Sequence, residues 1–151
     1  PCKSYGQDRI NPAYYCGIFG PNDMRRDVSI AVTGSDGKGA EKLLPFVKKG
    51  GFVYITVPGM KKDCHDNLPE ELLLSWTPEE LDYIHDITYW SNIISHCKKA
   101  DLISIYEMES NSEVWSDWIK QNNEYAINDR KAIEAGGGDY LNFIAIILQK
   151  K

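Results

Sequence analysis

The clearest pattern of apolar positions along the chain lies in residues 50–59. This stretch opens on two glycines, continues through β-branched and aromatic residues, and stops at Pro58-Gly59. Apolar residues occupy both parities, which is typical of a strand covered on both faces, as in a parallel sheet. Residues 41–49 have a helix-like pattern that ends in two lysines, a common signal for a helix carboxyl terminus. The pattern predicts a helix, a tight turn and a buried strand, whose carboxyl end is where open α/β sheets bind ligands.

Strand and helix patterns alternate along the rest of the chain. Strands are predicted at residues 27–33, 101–108 and 140–149, and a helix at residues 88–99. A helix starts after Thr77, because Pro78 and Glu80 complete a capping box. Ser110 and Glu113 predict a second capping box, opening a helix whose apolar stripe is Val114, Trp115, Trp118, Ile119 and Tyr125.

Two further segments have less regular patterns. Asn128-Asp129 is predicted to cap a short helix that ends at the glycines of residues 136–138. Residues 59–76 contain charges, Pro69 and three consecutive leucines, and we interpret them as a long loop that acts as a mobile lid.

The order of these elements predicts an α/β sheet with helices packed on it. Residues 1–26 have no clear period and are interpreted as an irregular amino-terminal arm, followed by one domain over residues 27–151. The chain starts at Pro1, so we expect a processed chain, a trimmed one or a fragment.

Composition narrows the function classes. The 151 residues carry a formal net charge of -5 and show no basic stripe, which argues against a nucleic-acid partner. No apolar run is long enough to span a membrane and no signal peptide is evident. The four cysteines form no Cys-x-x-Cys pair, so we expect a reduced, cytoplasmic protein.

Two polar segments are candidates for chemistry. Residues 34–39 are rich in glycine but lack the spacing of a phosphate loop, so we interpret them as a connection from which Asp36 could face a ligand. Residues 63–66 place four potential metal ligands together, yet metal sites draw ligands from separated positions. Because His85 and His96 fit helices better than a site, we predict no metal. His65 is the candidate acid or base on this ligand-side loop.

Aromatic residues could line an apolar pocket. Trp76, Tyr89 and Trp90 are the pocket candidates, and Trp76 is the strongest because it stands between the long loop and its helix. Core packing is the commoner role for aromatic residues at helical spacing, so both interpretations stay open.

From about Glu41 onward, the chain resembles the carboxyl-terminal half of class I S-adenosylmethionine-dependent methyltransferases. The resemblance rests on residues 43–59, with their Lys-Lys-Gly-Gly turn, and extends to residues 67–72, Trp76, the Trp115/Trp118 helix and the final strand. It implies a partial Rossmann-like, methyltransferase-type sheet with helices on both faces and an antiparallel final strand. It also implies S-adenosylmethionine as cofactor and a small-molecule substrate, with Asp36 as the cofactor-binding candidate and His65 as the base.

The chain has no acidic-x-Gly-x-Gly motif, which this family uses to hold the cofactor. We therefore expect a truncated methyltransferase-like protein that is weakly active or inactive and does not bind S-adenosylmethionine tightly. The alternative is a non-catalytic binding or assembly module that uses an exposed sheet edge. In either case the unpaired edge left by a missing front half predicts a homodimer.

Overall fold

A computed structural model describes residues 40–151. The predictions for residues 1–39, including the arm, the strand at 27–33, the glycine-rich connection and Asp36, lie outside the described residues. The described part is a mixed α/β structure with one sheet and several helices.

The sheet has three strands, β1 (Phe52–Met60), β2 (Ala100–Glu107) and β3 (Leu141–Lys150), in the order β1-β3-β2. Both outer strands pair with β3 in antiparallel register, so β1 and β2 run parallel to each other. The expected antiparallel final strand is confirmed, and β3 separates the other two. A bulge lies in β2 between Leu102 and Ser104.

The two faces of β1 differ in burial. Val53, Ile55 and Val57 lie within an apolar cluster shared with the even-numbered residues of β3. Phe52 and Tyr54, on the opposite face, are 60% and 47% exposed. The prediction that β1 is covered on both faces is therefore wrong for its first half. An aromatic residue satisfies strand propensity without requiring full burial, so the sequence pattern does not distinguish the two cases.

Within residues 40–151, five helices connect the strands. They are α1 (Glu70–Leu73), α2 (Pro78–Leu81), α3 (Ile87–Ser95), α4 (Asn111–Trp118) and α5 (Glu124–Glu134). The same part of the chain contains three short 3₁₀ turns, at Ala40–Lys42, Leu44–Phe46 and Gly137–Asp139.

Helices contact both faces of the sheet. Helix α3 places Trp90, Ile93 and Ile94 on the face that contains Val53, Ile55 and Val57. On the other face, the Trp115 ring of α4 lies 5.4 Å from the Phe143 ring of β3. The sheet thus has one face that is covered along β1 and β3, and one face that is covered near the carboxyl end of β1.

The hydrogen bonds at the helix N-caps show which of the predicted helix starts are correct. The Thr77 capping box forms as predicted, with Glu80 bonded to the Thr77 amide at 2.8 Å. Ser110 precedes α4 but makes no side-chain capping bond, so the second predicted box is wrong. Helix α5 starts after Asn123, whose side chain accepts from the Ala126 amide.

Asn128 and Asp129 therefore lie inside α5 rather than at its start. The Asp129 carboxylate is buried and accepts a hydrogen bond from the Trp118 ring at 2.8 Å, while Asn128 and Ser75 exchange two bonds of 2.6 Å. These tertiary contacts explain why a residue pair typical of helix caps occurs mid-helix. Tyr125 belongs to α5 and is 41% exposed, so it is not part of the α4 stripe.

The predicted lid over residues 59–76 is anchored at several points. Gly59 and Met60 belong to β1, α1 occupies part of the segment, and Met60, Leu72 and Trp76 are buried in a second apolar cluster. Such burial is typical of packed structure rather than of a loop that opens freely. None of the helices within residues 40–151 has the length and apolar content needed to cross a membrane.

Candidate functional site

The carboxyl end of β1 brings together two segments that are distant in sequence. The Met60 amide donates to the His85 carbonyl at 3.1 Å, and the next amide, of Lys61, donates to the Tyr140 carbonyl at 3.0 Å. The Lys61 bond continues the β1–β3 pairing for one step beyond the sheet. The Met60 bond joins the end of β1 to the residues that precede α3.

The start of α3 determines where His85 lies. Asp86 is the N-cap of α3, and its side chain accepts from the Tyr89 amide at 2.9 Å. The N-cap is the residue that immediately precedes the first helical residue. His85 comes one position earlier still, so it lies outside the helix, in the preceding loop. Its ring is then free to turn toward the segment after β1.

Asp63 is the centre of the resulting cluster. Its Oδ1 lies 2.7 Å from His65 Nδ1, and its Oδ2 lies 3.1 Å from His85 Nδ1. The backbone amide of His65 also donates to Oδ1 at 3.1 Å. We call Asp63, His65 and His85 the histidine–aspartate cluster.

Hydrogen bonding sets the charge on Asp63. Partial burial raises the pKa of its carboxyl group, but the His65 amide and both histidine rings donate to the carboxylate and bring its pKa down to about 2. The carboxylate is therefore ionised throughout the neutral range.

His65 is held between two acceptors. Its Nδ1 faces the Asp63 carboxylate and its Nε2 faces the Leu81 carbonyl at 3.0 Å. A neutral imidazole has only one N–H and can donate to only one of them, whereas the imidazolium donates to both. Desolvation lowers the pKa of His65, but the bonds to Asp63 and Leu81 outweigh it and raise the pKa.

An aromatic wall stands beside the cluster. The Tyr89 ring stacks on the His85 ring, with centroids 3.6 Å apart and an angle of 18° between the planes. Trp90 is buried, and its ring meets the rings of His85 and Tyr89 edge-on. Its Nε1 has no hydrogen-bond partner among residues 40–151. Tyr89 and Trp90, both predicted for the pocket, thus lie next to His85.

Trp76 lies in a different environment. It is 6% exposed and belongs to the apolar cluster of Met60, Leu72, Leu81, Ala132 and Leu141. Its ring centroid is 6.2 Å from that of Trp115. In the described part of the chain, Trp76 is thus a packing residue of this cluster.

Sequence reasoning missed Asp63 and His85 as partners of His65. His85 was predicted to fit a helix better than a site. The signal that could have corrected this is Asp86, which is a favoured N-cap residue three positions before Tyr89. The premise that residues 63–66 lack a converging partner is wrong, since His85 supplies one.

Comparisons with known proteins identify no family for this chain. No protein-family model matches the chain, and no curated protein matches it. A solved structure described as the crystal structure of MccD protein is similar at a TM-score of 0.41 and 14% sequence identity. The match covers 75% of this chain and 53% of that one, so the chain spans about half the length of the MccD structure.

Proposed function

We propose that the chain is a methyltransferase-like α/β protein that binds a small polar molecule at the carboxyl end of β1. The observation that carries this proposal is the convergence of Asp63, His65 and His85 from two segments onto one aromatic wall. Polar groups gathered beside an aromatic surface at a strand's carboxyl end are typical of small-molecule sites in α/β proteins. The resemblance of residues 43–59 and the antiparallel β3 support the methyltransferase-like part.

The described residues do not fit S-adenosylmethionine. A nucleotide-type cofactor needs a glycine turn that lets the backbone come close, followed by a helix amino terminus. Gly59 is the glycine at the carboxyl end of β1, but a Cβ there would lie 2.6 Å from Asn142 Oδ1 and from Ile144 Cδ1. Its missing side chain makes room for β3 rather than for a cofactor.

Calorimetric titration of the full chain with S-adenosylmethionine and S-adenosylhomocysteine tests the cofactor part. We expect binding no tighter than about millimolar, since losing two or three charge-assisted hydrogen bonds of about 1.5–3 kcal/mol each removes most of a micromolar affinity. A dissociation constant in the low micromolar range would overturn this expectation and would make the chain a candidate enzyme.

Nuclear magnetic resonance of the histidine rings tests the site. A panel of small phenols, carboxylates and amines is added to the full chain, and we expect at least one member to shift the His65 and His85 signals. His96, whose Nδ1 lies 2.9 Å from the Asn92 carbonyl on the surface of α3, is the internal control. Shifts at His96 alone, or none with any probe, would count against the site.

A second candidate function is assembly with a second copy of the chain. The observation that favours it is the exposed sheet face that carries Phe52, Tyr54 and Tyr106. Tyr54 of β1 and Tyr106 of β2 also interact with each other across β3 on this face. Exposed apolar patches of this kind are typical of interaction surfaces.

A further inference from the structure

We infer that the histidine–aspartate cluster is a binding site for a divalent transition-metal ion, with zinc as the ion that its donors suit best. Asp63, His65 and His85 each offer one ligand atom, and the three atoms lie within 4.8 Å of one another. Two imidazole nitrogens and one carboxylate oxygen form a donor set that zinc and iron use in proteins. This inference goes beyond the proposed function and does not depend on it.

The distances are compatible with one shared ion. Two ligands that are each about 2.1 Å from a tetrahedral zinc lie roughly 3.4 Å apart. Asp63 Oδ1 is 2.7 Å from His65 Nδ1 and Asp63 Oδ2 is 3.1 Å from His85 Nδ1, so each histidine nitrogen lies slightly closer to a carboxylate oxygen than that spacing. All three ligand atoms lie within 4.8 Å of one another, so they face a common point at which an ion could be shared.

A metal ion would also satisfy the polar atoms of the cluster better than protons do. Without an ion, His65 must carry two protons to serve both Asp63 and the Leu81 carbonyl. With an ion at Nδ1, a neutral His65 keeps one proton on Nε2 for Leu81, and the carboxylate binds the ion. Metal-binding histidines usually donate the proton on their other ring nitrogen to a carboxylate, a backbone carbonyl or water, which fixes the orientation of the ring.

The surroundings hold all three ligands in place. The His65 amide fixes Asp63 Oδ1 at 3.1 Å, the Leu81 carbonyl fixes His65, and the Tyr89 ring packs on His85. Cys64 is next in sequence, but its Sγ points to Met60 Sδ at 3.5 Å, so it is not a fourth ligand.

Solvent can reach the cluster, since the side chains of Asp63, His65 and His85 are 40%, 22% and 16% exposed. Three protein ligands with an open position are typical of metal sites that bind water or a small ligand, rather than of closed structural sites. Such an open position binds a ligand through a carboxylate or hydroxyl oxygen.

The test is metal titration of the full chain, purified without metal-chelating resin and stripped with a chelator. We expect one equivalent of Zn²⁺ to bind with micromolar affinity or tighter by calorimetry, and Co²⁺ to give visible absorption bands. Asp63→Asn and His85→Gln should each weaken binding at least about tenfold, because the loss of a ligand costs more affinity than the loss of a group that only orients a ligand. His96→Gln is the matched control and should bind as the wild type does.

Two outcomes would overturn the inference. One is the absence of stoichiometric binding to the stripped wild-type chain. The other is unchanged affinity in His85→Gln, which would put the ion elsewhere in the chain. If a variant fails to fold, the wild type still decides, because Zn²⁺ must shift the ring-nitrogen signals of His65 and His85 and leave those of His96 in place. No small-molecule ligand is added, so failure here is distinct from failure of the proposed function.

Discussion

Single residues of this chain have roles that depend on where tertiary contacts place them. Trp76 and His85 illustrate this in opposite directions. Trp76 was predicted for a pocket and is packed in an apolar cluster, while His85 was assigned to a helix and is part of the polar cluster. In both cases the local sequence pattern does not indicate which residues from distant segments will surround the side chain.

Replacing Trp76 distinguishes packing from ligand contact. We expect Trp76→Ala to lower the free energy of unfolding by about 3–5 kcal/mol, because it removes a large buried side chain and leaves a cavity. Leu74→Ala is the control; Leu74 is 54% exposed, so its loss should change stability by less than about 0.5 kcal/mol. Denaturant unfolding followed by circular dichroism measures both. A cost below about 1 kcal/mol for Trp76→Ala would favour the pocket interpretation instead.

Tyr54 makes the stability depend on pH in the alkaline range. Burial, together with the hydrogen bond to Tyr106, raises the pKa of Tyr54 to about 12 from its ordinary value of 10. The folded state then keeps a proton that the unfolded state loses. The contribution of this group is therefore constant below about pH 10 and decreases as pH rises toward 12.

Ultraviolet absorbance of the phenolate during an alkaline titration, with unfolding measured in parallel, checks this behaviour. Tyr54→Phe should remove the last ionisation step, and Tyr140→Phe, which changes a surface residue outside the sheet, should leave it in place. An unchanged titration curve for Tyr54→Phe would contradict the assignment.

At the scale of helices and strands, the sequence predicted the elements that are specified by residues within or next to them. The three described strands and the start of α2 follow from apolar pattern, turn residues and the Thr77 capping box. The start of α5 did not follow, because the Asn128-Asp129 pair is used for contacts with Ser75 and Trp118 instead of for capping. The same limit applies to the candidate site, where His65 was predicted and its partners Asp63 and His85 were not.

The capping box provides a test at this scale. We expect Thr77→Ala to lower stability by about 1 kcal/mol, since it leaves the Glu80 amide without its side-chain acceptor. Thr88→Ala, on the exposed side of α3, is the matched control and should cost little, because alanine has the higher helix propensity. Equal losses in thermal unfolding for the two variants would indicate that the box does not stabilise α2.

At the scale of the whole molecule, the exposed face of the sheet is the surface through which we propose that two copies of the chain meet. Phe52, Tyr54 and Tyr106 lie on one face, at the end of the sheet that the Trp115–Phe143 contact leaves uncovered. Burying such side chains between two copies would contribute about 25 cal/mol per Å² of apolar area removed from water.

We therefore expect the full chain to be a dimer by light scattering after size-exclusion chromatography. Phe52→Lys should shift the population toward monomer, because it places a charge in the interface. Lys49→Glu, a charge change at an exposed position before β1, is the control and should leave the mass unchanged. A monomer at high micromolar concentration of the wild type would exclude the symmetric assembly.

The central position of β3 also bears on how the chain is made. The ribosome releases β1 about ninety residues before β3 and β2 about forty before it, yet each pairs with β3 within the described sheet. Until residues 141–150 emerge, the backbone groups of both strands and the side chains of Val53, Ile55 and Val57 have no β3 to pack against. Non-local pairing of this kind is slow and leaves nascent chains exposed to aggregation. Translation that stalls before residue 141 should therefore yield a product that chaperones retain and proteases remove.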